Sequence, residues 1–455
     1  MIDFPPSSSC LRRKGAATSI GPSNALLRFF LHPFVFGIVI FVTFDFMLPN
    51  TTSAPEPYPM DILHAADGDG PIPMNATLVN STSLWVLNHR AYYTYSAFLD
   101  IQFGVIRVLT LINTTDYTKR RRVSSSFDCQ VGYEPALPID SIEGEPALLG
   151  DLSNFPFDSY FVNCPYRNDT AVPTVVSLSY CEFNSAIWLP IQLVRRKRSK
   201  KIRTIGLCVE PSADGLIDDI RVAEYLAYYH IIGITDFTFY ISNTTQDVMR
   251  FLRALQRAGM KISLRLWIGS SVTSSVGLAA FINDCAYRYM DTPVQYILSA
   301  GLNEFVVPRR RKTLQSLLNK TKDAYSSFTF LSYPFQEVPT PLLRTAERGR
   351  RRETVSPPGL TSRVLAEVTR IVEAGLHVPL QMDGGEQYMF DPDDASVNLY
   401  TKMNTHFNDT VEDNVVMKFK KQVRSSPVWD VLRKTTRRAS SHVAKYDGFG
   451  GSVKS

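Results

Sequence analysis

From Ile202 onward the chain alternates strand-like and helix-like segments, and that alternation restricts the fold more than any other feature. Apolar runs at 202–209, 237–241, 261–267 and 293–298 have the length of buried strands, about four to eight residues. Between them, 219–230 carries Val222, Leu226 and Tyr229 at helical spacing, and 244–257 carries Val248, Phe251, Leu252 and Leu255, with Thr244 as the expected cap. A third helix is expected over 276–289. Repeating βα units need crossover helices, so they predict an α/β domain with a mainly parallel sheet covered on both faces. The last of these strands lies in PVQYILSAGLNEFVVP, Pro293 to Pro308; it breaks at 299–301 and delivers Asn303 and Glu304 at its carboxyl end. That is where open α/β sheets bind ligands, although an ordinary core strand has the same pattern. Neither GxGxxG nor GxxxxGK[ST] follows a strand, which excludes the dinucleotide and P-loop fingerprints.

The N-terminal part carries an address. Residues 29–48, FFLHPFVFGIVIFVTFDFML, are almost wholly apolar over a bilayer-spanning length. Arg12, Arg13, Lys14 and Arg28 precede them and no Lys or Arg follows until Arg90, so the positive-inside rule predicts a single-pass type II signal-anchor. A cleaved signal peptide is the competing reading, but the apolar run is long and no small-x-small site ends it. On this scheme 1–28 is a cytosolic tail, 49–82 a Pro- and Thr-rich stem, 83–200 a β-rich lead-in region, 201–424 the α/β domain and 425–455 a polar, poorly ordered tail. The sequons at Asn50, Asn75, Asn80, Asn113, Asn168, Asn243, Asn319 and Asn408 all fall after the apolar run, as a lumenal domain requires.

The chain has 455 residues, 44% of them hydrophobic, enough for a sizeable core. Its net charge of +6 gathers in short runs at 119–122, 195–201, 309–312 and 348–352, which read as solvated loops. No aromatic interleaving or nucleic-acid module accompanies them, so no nucleic-acid partner is expected. Cys129, Cys164, Cys181, Cys208 and Cys285 would lie in an oxidising lumen, but their pairing is not legible. No Cys or His spacing marks a zinc site.

Four pieces in order are more specific: LCVEP (207–211), AEYLAYYHIIGITDFTFY (223–240), NDCAYR (283–288) and GLNEFVVP (301–308). Together they resemble glycosyltransferase family 92, a group of type II membrane enzymes with a GT-A, Rossmann-like nucleotide-sugar fold. The resemblance covers 200–335 well and extends to about 420. It implies a hexosyltransferase of the Golgi or another secretory-pathway lumen, moving galactose from a UDP-sugar donor to a glycan acceptor. It places Pro211, Tyr240, Asp284, Arg288, Gly301 and Asn303 on the nucleotide sugar.

The chain departs from the family where a D-x-D motif holds a divalent cation on the diphosphate. Here Gly301-Leu302-Asn303 stands instead, followed by Glu304. Glycine offers no ligand and asparagine one neutral oxygen, so Mn²⁺ would rest on Asn303 and Glu304 alone. Glu304 could equally orient Asn303 or pair with an arginine. The family's H-Y-R piece falls on Leu399-Tyr400-Thr401, leaving His406 as a substitute histidine and His377 for the acceptor side. Glu304, Asp383 and Glu386 are the candidate catalytic carboxylates, the last two beside flexible glycines in MDGGEQ. The alternative is a catalytically impaired member retained as a lumenal glycan-binding or scaffold protein.

Overall fold

The computed structural model describes residues 86–88, 92–113, 127–133, 140–150, 157–166, 171–180, 187–196, 204–211, 216, 218–242, 244–267, 277–336, 350–401 and 410–436. The predicted anchor at 29–48 and the stem lie outside them; among the described residues no helix is long and apolar enough to cross a membrane.

Among the described residues the lead-in region is β, as its alternation of apolar and polar residues requires. Strands β1 (Val86–Asn88), β2 (Tyr92–Asp100), β3 (Val105–Asn113), β4 (Phe127–Gly132), β5 (Asp140–Leu148), β6 (Phe157–Pro165), β7 (Val175–Tyr180) and β8 (Leu189–Val194) form one sheet in the order β1-β2-β3-β6-β5-β4-β7-β8. Parallel pairing of β8 with β2 closes the ladder of β2 to β8 and leaves the short β1 at an edge. Inside lie Ile106, Val108, Val162, Val131 and Leu189, and the Cys129–Cys164 disulfide. The alternate positions Phe98, Leu109, Leu111 and Phe161 face outward into a second core shared with the α/β domain. A register shift between Thr94 and Ser96 marks a bulge in β2, and both Tyr95 and Ser96 reach the α/β domain.

The α/β domain is built on β9 (Ile205–Val209), β10 (Ile234–Ile241), β11 (Lys261–Leu266), β12 (Tyr296–Ala300), β14 (Tyr325–Phe330), β17 (Arg363–Glu367) and β20 (Glu386–Met389), ordered β11-β10-β9-β12-β17-β14-β20. The first four are mutually parallel, joined through α1 (Asp219–Ile231), α2 (Gln246–Arg257) and α3 (Leu278–Tyr289). Helices α1 and α2 bury Val222, Leu226, Tyr229, Val248, Phe251, Leu252 and Leu255 on one face; α3 covers the other with Phe281, Cys285 and Tyr287. The expected mixed α/β layering is therefore what forms. The cap of α2 is Thr245, whose side chain accepts from the Val248 N–H, while Thr244 bonds the Leu216 carbonyl.

The apolar stretch 293–308 is two strands in two sheets. After β12 the chain turns at 301–303 and leaves as β13 (Glu304–Pro308), which pairs with β21 (Ala395–Thr401) in a separate sheet ordered β13-β21-β15-β16-β22. Its other members are β15 (Ser332–Gln336), β16 (Arg350–Arg352) and β22 (Thr410–Glu412); β18 (Ile371–Glu373) and β19 (Gln381–Met382) form a small hairpin. The domain does not stop at Arg424: residues 427–436 are helical and bury Val428 and Leu432 in the main core, so the expected polar tail begins later.

Several basic-run residues are also not solvated. Arg196 is buried, donates to both oxygens of Asp100 and to the carbonyls of Thr369 and Ile371, and so locks the barrel to the α/β domain. Arg309 and Arg351 share Asp413, with the Arg351 guanidinium 3.7 Å from the Tyr333 ring centroid. Sequence patterning sees their charge but not the carboxylates that meet it.

Candidate active site

Strand order reverses between β9 and β12: β10 and β11 lie on one side of β9, β12 on the other. At such a switch point the crossover helices diverge and leave a crevice at the carboxyl ends of the strands. Glu210 and Pro211 leave β9 there, Gly301 and Asn303 leave β12, and the Glu210 N–H donates to the Ala300 carbonyl at 3.3 Å.

Helix α1 sets the turn. Three buried tyrosines donate to its backbone: Tyr225 to Ala300, Tyr228 to Val306 and Tyr229 to Glu304, each at 2.9 Å. Burial holds these phenols well above their ordinary range, so they act as donors at any physiological pH. The piece AEYLAYYH is thus a set of hydroxyls that hold the switch-point loop. Asn303 is tied at the other side, its side-chain amide donating to the Tyr400 carbonyl and its own carbonyl accepting from the Tyr400 N–H, both at 2.9 Å. A Cβ at Gly301 would come 2.9 Å from Asn303 Oδ1 and 3.5 Å from Glu210 Oε2, so the glycine fits the loop as it stands.

Glu304 is buried and committed. Arg363 grips it with two bonds, Nε to Oε2 at 2.7 Å and Nη2 to Oε1 at 2.5 Å, and the Gly301 N–H donates to Oε2 at 2.8 Å. Such a fork-to-carboxylate pair is the strongest geometry available to these groups. Arg363 Nη2 also lies 3.0 Å from Glu210 Oε1. Burial, only partly offset by Arg363 and reinforced by Glu304, raises the Glu210 carboxyl to about 7. His377 Nδ1 sits 2.9 Å from the Ser362 carbonyl and 3.2 Å from Arg363 Nη1. With a proton on Nδ1 it donates to Ser362; without one it accepts from Arg363. Burial and the neighbouring guanidinium, opposed by the Ser362 carbonyl, lower its pKa and favour the neutral ring.

This donor set does not fit a divalent cation. Both oxygens of Glu304 serve Arg363, Gly301 has no side chain, and Asn303, whose side-chain nitrogen donates to Tyr400, offers one neutral oxygen. Among the described residues no three His, Cys, Asp or Glu side chains converge as metal ligands. Of the roles open to Glu304, the arginine pair is the one realised. His406 lies outside the described residues.

Tyr240, Asp284 and Arg288 come together elsewhere, inside the core on the α3 side. Asp284, fully buried, accepts from Ser96 at 2.6 Å, Tyr240 at 2.5 Å and Arg288 at 2.7 Å. These bonds join barrel, sheet and helix, and no polar contact links them to Glu304. The Cys208–Cys285 disulfide ties β9 to α3 alongside. Asp383 accepts from Gln102 at 2.7 Å, and exposed Glu386 opens the edge strand β20, separated from β12 by β14 and β17. Neither is brought to the Glu304 group. Sequence reasoning missed Glu210 and Arg363. Glu210 stood in the quoted LCVEP piece; Arg363 had no local signal.

The sequence profile of glycosyltransferase family 92 matches residues 203–439, more than half of the chain. Among solved structures the chain is similar to HddC from Yersinia pseudotuberculosis, at 10% identity over 41% of this chain and 88% of that one, with a TM-score of 0.23. It is also similar to glucosyl-3-phosphoglycerate synthase from Mycobacterium tuberculosis in complex with Mn²⁺, UDP-glucose and phosphoglyceric acid, at 13% identity over 51% and 79%, with a TM-score of 0.24. No curated protein matches the chain. The profile match spans β9 through the C-terminal helix, including all four sequence pieces and the switch point between β9 and β12, and the chain belongs to glycosyltransferase family 92.

Proposed function

We propose that this chain is a hexosyltransferase that binds a UDP-sugar, galactose being the expected hexose, in the crevice between β9 and β12 and transfers the sugar to a glycan acceptor. The apolar segment 29–48 anchors it as a single-pass type II protein in the Golgi or a neighbouring secretory compartment. The observation that carries this reading is the switch point in strand order, where α1 fixes a loop bearing Gly301 and Asn303 beside the Glu210, Glu304 and Arg363 cluster. Glycine lets a diphosphate approach the backbone closely. The Arg363 guanidinium keeps the net charge of the crevice wall low without a metal ion, and the Glu210 carboxyl can hold or release a proton near neutral pH.

A second reading is a lumenal binding protein without turnover. It draws on the same loop, because Gly301 and Asn303 replace the acidic pair and Glu304 is engaged by Arg363. The full-length chain in detergent would be titrated with UDP, with and without Mn²⁺ and with a chelator, following thermal stability, and then assayed for sugar transfer from UDP-galactose. Stabilisation reaching ~2.7 kcal/mol at a hundredfold excess over Kd is expected, unchanged by chelation. Binding without transfer selects the second reading; absence of UDP binding under every condition removes the first.

A further inference from the structure

The side chain missing at Gly301 leaves a space that a carboxylate from another strand approaches. Strands β9 and β12 run parallel with Val209 level with Ala300, so the residues that follow them, Glu210 and Gly301, leave the sheet side by side. A Cβ added at Gly301 would come 2.9 Å from Asn303 Oδ1, 3.5 Å from Glu210 Oε2 and 3.7 Å from Glu304 Oε2. An aspartate at 301 would extend from that Cβ into the space where the Asn303 and Glu210 oxygens already meet. Of the three oxygens, Glu304 Oε2 is engaged by Arg363 and by the Gly301 N–H. The other two differ. Asn303 donates to Tyr400 through its side-chain nitrogen, and among the described residues no hydrogen bond reaches its Oδ1. Glu210 has one side-chain contact, the ion pair of Oε1 with Arg363 Nη2 at 3.0 Å; no hydrogen bond reaches that oxygen, although it is buried. One guanidinium stands between two carboxylates, and Glu304 takes both of its short bonds.

We infer that Glu210 is a ligand-binding residue of the proposed nucleotide-sugar site: its Oε2 and Asn303 Oδ1 receive sugar hydroxyls of the ligand, and Glu210 thereby fills the place of the acid absent at 301. Two acceptor oxygens converging on one space require donors. A diphosphate carries acceptors and negative charge, so it does not pair with them. The ribose and hexose hydroxyls do supply O–H groups, and an O–H accepted by a carboxylate makes one of the stronger hydrogen bonds. A buried carboxylate oxygen without a hydrogen bond costs free energy, which a bound hydroxyl offsets. The inference rests on the reading of the switch point as a nucleotide-sugar site.

The test is a double-variant cycle on the full-length chain in detergent, titrated with UDP and with UDP-galactose, with a chelator present throughout so that no cation bridges an introduced aspartate to the diphosphate. Glu210→Ala is expected to weaken binding about tenfold or more, the effect of losing a hydrogen bond to a charged group. Gly301→Asp crowds Asn303 Oδ1 and sets a third carboxylate beside Glu210 and Glu304, and should weaken binding as well. The two substitutions together return one carboxylate to the same space and should recover affinity to within about threefold of the parent, a strongly non-additive result. If Glu210→Ala does not fold, Glu210→Asp, which withdraws the carboxylate by one methylene, takes its place in the cycle. Equal losses for UDP and UDP-galactose assign the ribose hydroxyls; a loss confined to UDP-galactose assigns those of the hexose. A Glu210 variant that binds as tightly as the parent, or a double variant as weak as the two singles combined, overturns the inference and leaves the nucleotide-sugar site standing. A parent chain that binds neither ligand removes the site and the inference together.

Discussion

Replacing Glu210 by Gln should make the protein more stable in neutral to alkaline solution while leaving it nearly unchanged in acid. The Glu210 side chain is only 15% exposed, and its carboxyl titrates at about 7 in the folded chain against an ordinary 4.5. Between those values the folded state holds a proton that the unfolded chain has released, so stability falls as pH rises. At ~1.4 kcal/mol per pH unit for one proton, the penalty grows to ~3 kcal/mol by the time the folded carboxyl has ionised. Below pH ~4.5 both states are protonated and nothing is lost. Glutamine keeps the oxygen that faces Arg363 and cannot ionise, so the variant should lack this slope. Urea unfolding at intervals from pH 5 to pH 8 measures it: the two proteins should begin close together and diverge, the variant ending up to ~3 kcal/mol ahead. Parallel profiles, or a variant weakened equally at every pH, would show that Glu210 ionises freely and would refute the account of the cluster.

Arg363→Met leaves Glu304 buried without its partner and should cost about 3–5 kcal/mol in urea unfolding; Arg363→Lys should recover only part, since an ammonium cannot reproduce the two-bond grip. A Met variant as stable as the parent would contradict the geometry. Asp284→Asn strips the counter-charge from Arg288 and should cost ~3 kcal/mol or more, yet leave UDP affinity intact in the folded fraction, because its partners are Ser96, Tyr240 and Arg288. A selective loss of UDP binding with unchanged stability would return Asp284 to the nucleotide site.

The sequence by itself determined the alternation of strands and helices, since helical and strand periodicities are local properties of about ten residues. It also determined which faces are buried: the apolar positions named on α1 and α2 are those in the core. Four short pieces in order were enough to indicate the family that the profile match then showed. The tertiary structure alone decided what those pieces do. Whether Glu304 holds a cation or an arginine depends on Arg363, fifty-nine residues downstream, which arrives because antiparallel pairing of β17 with β12 sets it near the end of β12. The same holds for Asp284, read as a nucleotide contact and found inside a buried network, and for Arg196, read as solvent-facing and found sealed on Asp100. A charged residue declares its need for a partner in the sequence; which partner it meets, and how much water is left between them, is fixed only when distant strands pair and close.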